Sequence, residues 1–305
     1  MKRFLLIAGM VAIVFGCSQP KEETIQTFQS SIEYYPNFQS QHIAQRNVEV
    51  FLPRQYFEDP NQKFDVLYMH DGQNVFNTST AYGGVAWEVD SILQQLLDND
   101  QVRPTIVVAV WNTEKRYLEY CPEYVFLSMD SLVQDSIRAA YKLNEELLAD
   151  EYLQFLTSEL KPFIDSTYHV NQSPEHTFVM GSSMGGLISC YALLEFPEFF
   201  GGAACVSTHW PLSHAAGYHP FAAQMVSYVQ HEIHLLSDQQ KLYFDYGTEM
   251  LDSLYEPYQL LIDSVILASD FNTINYKSLK FEGAAHDEAS WQKRLNIPLT
   301  FLLHK

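Results

Sequence analysis

The chain has 305 residues, of which 47% are hydrophobic and 18% are charged. That balance is typical of a globular protein and excludes an intrinsically disordered one. Lys and Arg total 18 against 37 Asp and Glu, which gives a formal charge of −19. A surface this acidic repels phosphate backbones, so nucleic acid is excluded as an expected partner.

The first residues have the pattern of a targeting segment. Lys2 and Arg3 precede an apolar run over residues 4–15, which is too short to span a bilayer as a mature helix. The run ends at Val14-Phe15-Gly16-Cys17, which resembles the lipobox of bacterial lipoproteins. This resemblance implies a signal peptide over residues 1–16, cleavage before Cys17 and attachment of lipid to Cys17. A plain secretory signal with a chance cysteine is the alternative.

Residues 17–30 are polar and have no periodicity, which predicts a lipid-anchored tether ahead of a folded domain that begins at residue 31. Within this segment, Lys21-Glu22-Glu23 resembles the signal that sends some lipoproteins to the cell surface. The expected location is therefore outside the cytoplasm, on the bacterial outer membrane or cell surface, with the N-terminal lipid as the only contact with the membrane.

From residue 31 the chain alternates short β-branched or aromatic runs with helical patterns. Strands are predicted at Val48–Leu52, Val66–Met69, Ile106–Val110, Thr177–Met180, Ala203–Val206, Leu242–Asp245 and Lys277–Phe281. Helices are predicted at Trp87–Leu97, Leu147–Asp165, Met184–Phe196, Tyr255–Ala268 and Asp287–Leu303. Several strands are nearly continuous apolar runs, typical of parallel strands covered on both faces. The fold class is therefore α/β, with a single doubly wound domain and a mostly parallel central sheet over residues 31–305.

The strongest local signal is a GxSxG motif that lies between a predicted strand and a predicted helix. Gly181, Ser183 and Gly185 supply the three fixed positions of this nucleophile-elbow pattern. The two glycines allow strand and helix to approach without collisions of Cβ atoms. Ser182 cannot replace Ser183, because Met180 would then occupy the first glycine position. The motif predicts Ser183 as a nucleophile; a structural turn serine is the alternative.

A nucleophilic serine needs a base and an acid, which follow it in this fold in the order acid, then histidine. His286 follows the last predicted strand and precedes the final predicted helix, where that order requires the base. Asp252 is the favoured acid, and Glu249 on the same loop is the alternative. Asp245 falls within the predicted strand, where its side chain is badly placed for this role.

The tetrahedral intermediate that a nucleophilic serine forms also requires donors for its oxyanion. The backbone N–H of Met184, which follows the nucleophile, is one candidate. The second is the N–H of Gln73, because Gly72 permits a tight turn after an early strand. A plain β-turn is the alternative reading of this segment.

Together these segments resemble the putative-esterase family of α/β hydrolases, which includes feruloyl, acetyl-xylan and siderophore esterases, S-formylglutathione hydrolases and mycolyltransferases. The resemblance covers about residues 45–305. It rests on five motifs in chain order: Arg46–Val50, Tyr68–Asn74, Trp87–Asp90, Gly181–Gly186 and Gly283–His286. It implies an α/β-hydrolase domain that uses Ser183 as nucleophile, His286 as base, and the amides of Met184 and Gln73 as oxyanion donors. The acid loop departs from the family pattern, which leaves Asp252 and Glu249 open.

Four further residues are candidate substrate contacts. Asp71 lies in the predicted oxyanion segment, and Arg116 follows a predicted strand toward the same cleft. Trp87 and His209 are candidates for the acyl or sugar side, with core packing as the alternative. Residues 122–146 have the features of a lid or specificity insertion.

No HExxH, P-loop or GxGxxG motif is present, so no metal or cofactor is implied. His231 and His234 could share a helical face, but they are interpreted as surface residues. Cys121, Cys190 and Cys205 have no zinc-site spacing, and their odd number prevents full intramolecular pairing. They are expected to be buried free thiols.

The expected activity is hydrolysis of a carboxylic ester through an acyl-enzyme, on an ester-decorated carbohydrate or a siderophore-like substrate. Acyl transfer to a sugar hydroxyl would use the same triad and is one alternative. A non-catalytic surface binding protein on a hydrolase scaffold is the other. The expected partner is in each case a small-molecule or carbohydrate ester.

Overall fold

An eight-stranded sheet runs through the protein. The computed structural model describes residues 28–214 and 217–305. Within them the strands are β1 (Ser31–Phe38), β2 (Arg46–Leu52), β3 (Asp65–His70), β4 (Thr105–Val110), β5 (Thr177–Ser182), β6 (Gly202–Val206), β7 (Lys241–Gly247) and β8 (Tyr276–Phe281). Their order across the sheet is β1-β2-β4-β3-β5-β6-β7-β8. β2 is antiparallel to both its neighbours, whereas the six strands β3 to β8 are mutually parallel. The predicted mostly parallel α/β sheet is confirmed.

All seven predicted strands are present, each within two residues of its predicted bounds. β1 was not predicted, because it is an edge strand whose residues are exposed or half-buried and which contains Pro36. Such a strand has no apolar run to reveal it. The predicted signal peptide, Cys17 and most of the predicted tether lie outside the described residues; residues 28–30 have no regular secondary structure.

Helices surround the sheet. Those in the described residues are α1 (Gln55–Glu58), α2 (Val89–Asp98), α3 (Arg116–Tyr120), α4 (Glu123–Leu127), α5 (Ser131–Tyr141), α6 (Ala149–Gln154), α7 (Lys161–Thr167), α8 (Met184–Glu195), α9 (Pro220–Glu232), α10 (Glu256–Leu267), α11 (Glu288–Arg294) and α12 (Asn296–Leu303). A π-helical stretch, Phe155–Leu160, joins α6 to α7. None of the described helices has both the length and the apolar character needed to cross a bilayer.

The predicted final helix is interrupted at Leu295, where α11 ends and α12 begins. Pro298 explains the break, because a proline has no N–H to donate and its ring clashes with the carbonyl four residues earlier, that of Arg294. The predicted insertion over residues 122–146 contains α4 and α5. Side chains of α5 line a groove whose other wall is formed by residues 211–213 and 219–221.

Two apolar clusters fill the space between the sheet and its helices, one on each face. Val66 and Tyr68 of β3 point into one cluster, and Leu67 and Met69 point into the other. α2, α11 and α12 cover the second cluster, while α6 to α10 cover the first. Because both faces are buried, the edge formed by the carboxyl ends of the parallel strands is left for a binding site.

His70, the last residue of β3, is a buried polar group at that edge. Its side chain is only 3% exposed, and its Nδ1 lies 2.7 Å from the Tyr152 hydroxyl. Its Nε2 is buried and has no hydrogen-bond partner among the described residues. Burial lowers the pKa of His70 from 6.5 to about 3, so the imidazole is neutral at pH 7.

We predict that His70 makes the stability of the protein depend on pH. Between pH 6 and pH 4 the unfolded chain binds a proton at this histidine and the folded chain does not, so stability falls as the pH falls. In His70→Asn this fall in the free energy of unfolding should be smaller by about 2 kcal/mol, measured by urea denaturation. His231→Asn, at a side chain that is 79% exposed, is the control. The same pH dependence in His70→Asn and the unmodified protein would contradict the prediction.

Candidate active site

Four polar residues follow four neighbouring parallel strands. Ser183 follows β5, Ser207 follows β6, Asp252 lies on the 3₁₀ turn after β7, and His286 follows β8. Since the carboxyl ends of parallel strands meet at one edge of the sheet, these side chains converge there.

Ser183 occupies a strained turn between β5 and α8. Its backbone has φ 58° and ψ −120°, outside the regions that a residue with a Cβ prefers. The surrounding backbone holds it in place: the Ser183 N–H donates to the Val206 carbonyl at 2.9 Å, and the Ser183 carbonyl accepts from His209 at 3.1 Å. A Cβ at position 181 would come within 2.7 Å of the Gly185 carbonyl group, so Gly181 is required for this approach. The predicted elbow is therefore present.

The structure brings Ser183, His286 and Asp252 into one hydrogen-bonded chain. The Ser183 Oγ lies 3.0 Å from His286 Nε2, and His286 Nδ1 lies 2.5 Å from Asp252 Oδ1. The imidazole is held edge to face between the rings of Tyr255 at 5.6 Å and Trp291 at 5.0 Å. The chain runs from a fully buried carboxylate to a hydroxyl at the cleft, an arrangement that can draw a proton from the serine.

The two candidate acids occupy different environments. Asp252 is buried, and its second oxygen accepts hydrogen bonds from the Gly247 N–H at 2.5 Å and from the Ser207 hydroxyl at 2.6 Å. Glu249 is exposed. Asp245 lies within β7, as expected, and forms a buried ion pair with Arg294 at 2.9 Å. Of the two open alternatives, the geometry places Asp252 against His286.

Ser207 supports this arrangement and was not anticipated from the sequence. Its hydroxyl donates to Asp252 and accepts from Trp291 Nε1 and Arg294 Nη2, both at 2.9 Å. Arg294 also holds Asp245, so a buried polar network stands behind the Asp252 carboxylate. Ser207 belongs to no motif, and its position directly after β6 is the only signal that the sequence offers.

Two backbone amides, those of Met184 and Gln73, have no acceptor within their own helix or turn. The N–H of Met184 is the first of α8 and therefore has no acceptor within the helix. In the Gly72–Asn74 turn, Asn74 and the following Val75 donate to earlier carbonyls, which leaves the Gln73 N–H without an acceptor in the turn. Gly72 is required there, because a Cβ would come within 2.6 Å of the β4 backbone.

The cleft in front of Ser183 has a volume of about 380 Å³. Its lining is mostly polar and consists of Asp71, Gln73, Asn74, Tyr82, Asn112, Arg116, Ser182, Ser183, His286, Glu288 and Trp291. Arg116 binds both oxygens of Asp71, at 2.6 and 2.7 Å, and Asn112 donates to the same carboxylate at 2.5 Å. Burial opposes ionisation of Asp71, but Arg116 outweighs it and holds the pKa of that carboxyl below its usual value.

Trp87 and His209 do not line this cleft, so their prediction as direct substrate contacts is corrected. Trp87 is 4% exposed and packs in the core, 5.7 Å from the ring of Trp291. His209 is 1% exposed, and its Nδ1 lies 2.7 Å from the Tyr255 hydroxyl. Burial and the nearby His286 lower the pKa of His209 well below its usual value, so this ring is neutral, and it packs against the ring of Tyr255.

Within residues 28–214 and 217–305, no group of three or more His, Cys, Asp or Glu side chains is arranged to hold a metal ion. His231 and His234 are exposed. Cys121, Cys190 and Cys205 are buried free thiols, as expected, and burial raises the pKa values of Cys121 and Cys205.

Residues 42–302 match the family model described as putative esterase. The chain is 28% identical over 173 residues to the uncharacterized protein YbbA of Bacillus subtilis (strain 168). The match covers 56% of this chain and 60% of YbbA, so the chain spans less than two thirds of the length of this curated relative.

Solved structures share the fold. A ferulic acid esterase has a TM-score of 0.65 at 17% identity, over 90% of this chain and 98% of that one. The enterobactin esterase FES from Shigella flexneri has a TM-score of 0.61 at 16% identity, over 91% of this chain and 60% of that one. The TM-scores show that the fold is similar. The family match supports carboxylic ester hydrolysis as the class of reaction. Because the family model matches residues 42–302, which is most of the chain, this chain belongs to the putative-esterase family.

Proposed function

We propose that this protein is a serine hydrolase that cleaves a carboxylic ester through an acyl-enzyme. The observation that carries the proposal is the continuous hydrogen-bonded chain from Asp252 through His286 to Ser183, with contacts of 2.5 and 3.0 Å at the wall of a polar cleft. Membership of the putative-esterase family supports it. A binding protein without catalysis has no use for this chain of hydrogen bonds.

In the first step, the Ser183 hydroxyl attacks the ester carbonyl carbon while its proton passes to His286 Nε2. The carbonyl electron pair moves onto oxygen, and the N–H groups of Met184 and Gln73 stabilise the resulting oxyanion. Asp252 accepts the Nδ1–H of His286, which fixes the tautomer and stabilises the imidazolium that forms.

The tetrahedral intermediate collapses when the bond to the alcohol oxygen breaks and His286 returns its proton to that oxygen. The alcohol leaves, and the acyl group remains bonded to Ser183. A water molecule then attacks the acyl carbon and gives its proton to His286. When the second intermediate collapses, the bond between the acyl carbon and the Ser183 oxygen breaks and His286 returns its proton to that oxygen. The carboxylic acid leaves and the Ser183 hydroxyl is restored, so atoms and charges balance over the cycle.

The substrate we propose is an ester-decorated carbohydrate or a siderophore-like ester. The cleft of about 380 Å³ is large enough for a small molecule. Amide side chains of Gln73, Asn74 and Asn112 line it, and the charge of Arg116 is balanced by Asp71. The remaining carboxylate of the lining, Glu288, adds no positive charge, so the cleft favours neutral polar groups over anions. The similar folds of a ferulic acid esterase and an enterobactin esterase are consistent with this class.

Replacement of the nucleophile is the first test. Ser183→Ala should lower kcat for a short-chain aryl ester by about 10⁴-fold or more, because triad serines contribute up to about 10⁶ in rate. Ser227→Ala, on the exposed side of α9, is the control. Circular dichroism would verify that both variants are folded. Activity of Ser183→Ala within tenfold of the unmodified enzyme would reject Ser183 as nucleophile.

The hydrogen bond from Ser207 to Asp252 predicts a separate effect on turnover. Ser207→Ala removes the hydrogen bond to Asp252 together with those that the Ser207 hydroxyl accepts from Trp291 and Arg294, and it replaces no residue of the cleft lining. We expect kcat to fall about 10- to 100-fold while KM changes less than about threefold. Steady-state kinetics with the same aryl ester provide the measurement.

The control is Ser278→Ala, which also removes a hydrogen bond from a serine to an aspartate, here to Asp263 at 3.1 Å, away from His286. Equal kcat values for Ser207→Ala and Ser278→Ala would contradict a role for Ser207 in positioning Asp252.

We also propose that the enzyme works outside the cytoplasm, where a lipid attached to Cys17 anchors it to the membrane. The support is the N-terminal sequence, in which a basic start and a short apolar run end in a lipobox-like pattern. Cys17→Ser should move the protein from the membrane fraction of bacterial cells to the soluble fraction. Immunoblotting of the two fractions measures this change. Retention of Cys17→Ser in the membrane fraction would contradict lipid anchoring.

A further inference from the structure

One aromatic side chain at the cleft is left open to solvent. Tyr82 lines the cleft, yet it is 78% exposed, whereas Trp291, the other large aromatic side chain of the lining, is 5% exposed and packs against His286. The Tyr82 ring therefore presents an uncovered apolar surface beside a polar cavity. An exposed ring at the entrance of a binding cleft is suited to pack against a ligand.

The backbone that carries this ring is fixed to the predicted oxyanion turn. The Tyr82 N–H donates to Asn74 Oδ1 at 2.8 Å, and the Thr80 hydroxyl donates to the Gln73 carbonyl at 2.8 Å. Gly83 and Gly84 follow with φ of 65° and 72°, a left-handed turn in which glycine is unstrained. The position of Tyr82 is thus set by the same turn that presents the Gln73 N–H.

Arg116 offers polar contacts within the same cleft. Its guanidinium uses Nε and Nη2 to bind Asp71, which leaves other N–H donors on a side chain that is 26% exposed. The ion pair carries no net charge, so it favours hydroxyl groups over free ions as ligands. Asn112 stands beside it and lines the cleft as well.

We propose that Tyr82 forms a ring-binding subsite. This subsite binds a six-membered ring of the ester substrate that carries hydroxyl groups. The ring packs against the face of Tyr82, and Arg116 contacts its hydroxyl groups. Both a sugar and a phenol contain a six-membered ring that carries hydroxyl groups. The inference rests on the proposed function, because it takes the cleft at Ser183 as the ester site.

Binding to protein that carries Ser183→Ala tests the subsite without turnover. The probes are methyl 4-hydroxybenzoate, which has a phenolic ring in its acyl part, methyl 6-O-acetyl-glucoside, which has a sugar ring in its alcohol part, and methyl propionate, which has no ring. Affinities are measured by NMR titration. Adding Tyr82→Ala should weaken binding of at least one ring ester about five- to tenfold, and Tyr82→Phe should keep its affinity within about twofold. The ring ester that is affected identifies the source of the ring.

Tyr124→Ala, at a tyrosine that is 61% exposed and outside the cleft, is the matched control. Equal affinities of both ring esters with and without Tyr82→Ala would overturn the subsite, as would failure of both ring esters to bind. An equal loss of methyl propionate binding would also overturn it, because the effect would not depend on a ring. Hydrolysis of the same esters by the unmodified chain is assayed in parallel. Ring binding without hydrolysis would reject the proposed function and keep the subsite.

Discussion

The close approach of β5 and α8 is the constraint on which the rest of the site depends. Glycines at positions 181 and 185 allow the strand to pass directly into the helix, and the residue between them is forced into a backbone conformation that is costly for any residue with a Cβ. The strain at Ser183 is held by hydrogen bonds to the carbonyl of Val206 and from the amide of His209. The turn places the Ser183 hydroxyl at the cleft and leaves the first N–H of α8 free to bind an anion.

The parallel sheet then determines which segments can reach this hydroxyl. Loops after β7 and β8 end at the same edge, and they bring Asp252 and His286 within hydrogen-bonding distance although 34 residues separate them in sequence. Burial of the Asp252 carboxylate would be unfavourable without partners. Gly247 and Ser207 supply donors to it, and the ion pair between Asp245 and Arg294 keeps Ser207 in place. The buried network is therefore part of the chemistry that we propose.

The sequence predicted the structural features that have strong local patterns. Continuous apolar strands predicted the sheet, and GxSxG between a strand and a helix predicted the elbow at Ser183. The sequence favoured Asp252 but left Glu249 open, because the distinction depends on the turn over Met250–Leu254 and on Ser207, which follows β6. The sequence also left core packing and substrate contact open for Trp87, because its burial follows from tertiary packing against Trp291, which no local pattern reveals. Single residues without a motif, such as Ser207 and Tyr82, emerged only from three-dimensional contacts.

The central claim is that Ser183 is a nucleophile activated by His286. Treatment with a fluorophosphonate, followed by peptide mass spectrometry, tests it most directly because the reagent bonds covalently to an activated serine. We expect one adduct per chain, on Ser183, and its loss when His286 is replaced by alanine. Absence of any adduct, or an adduct on another residue while Ser183 stays unmodified, would show that Ser183 is not an activated nucleophile.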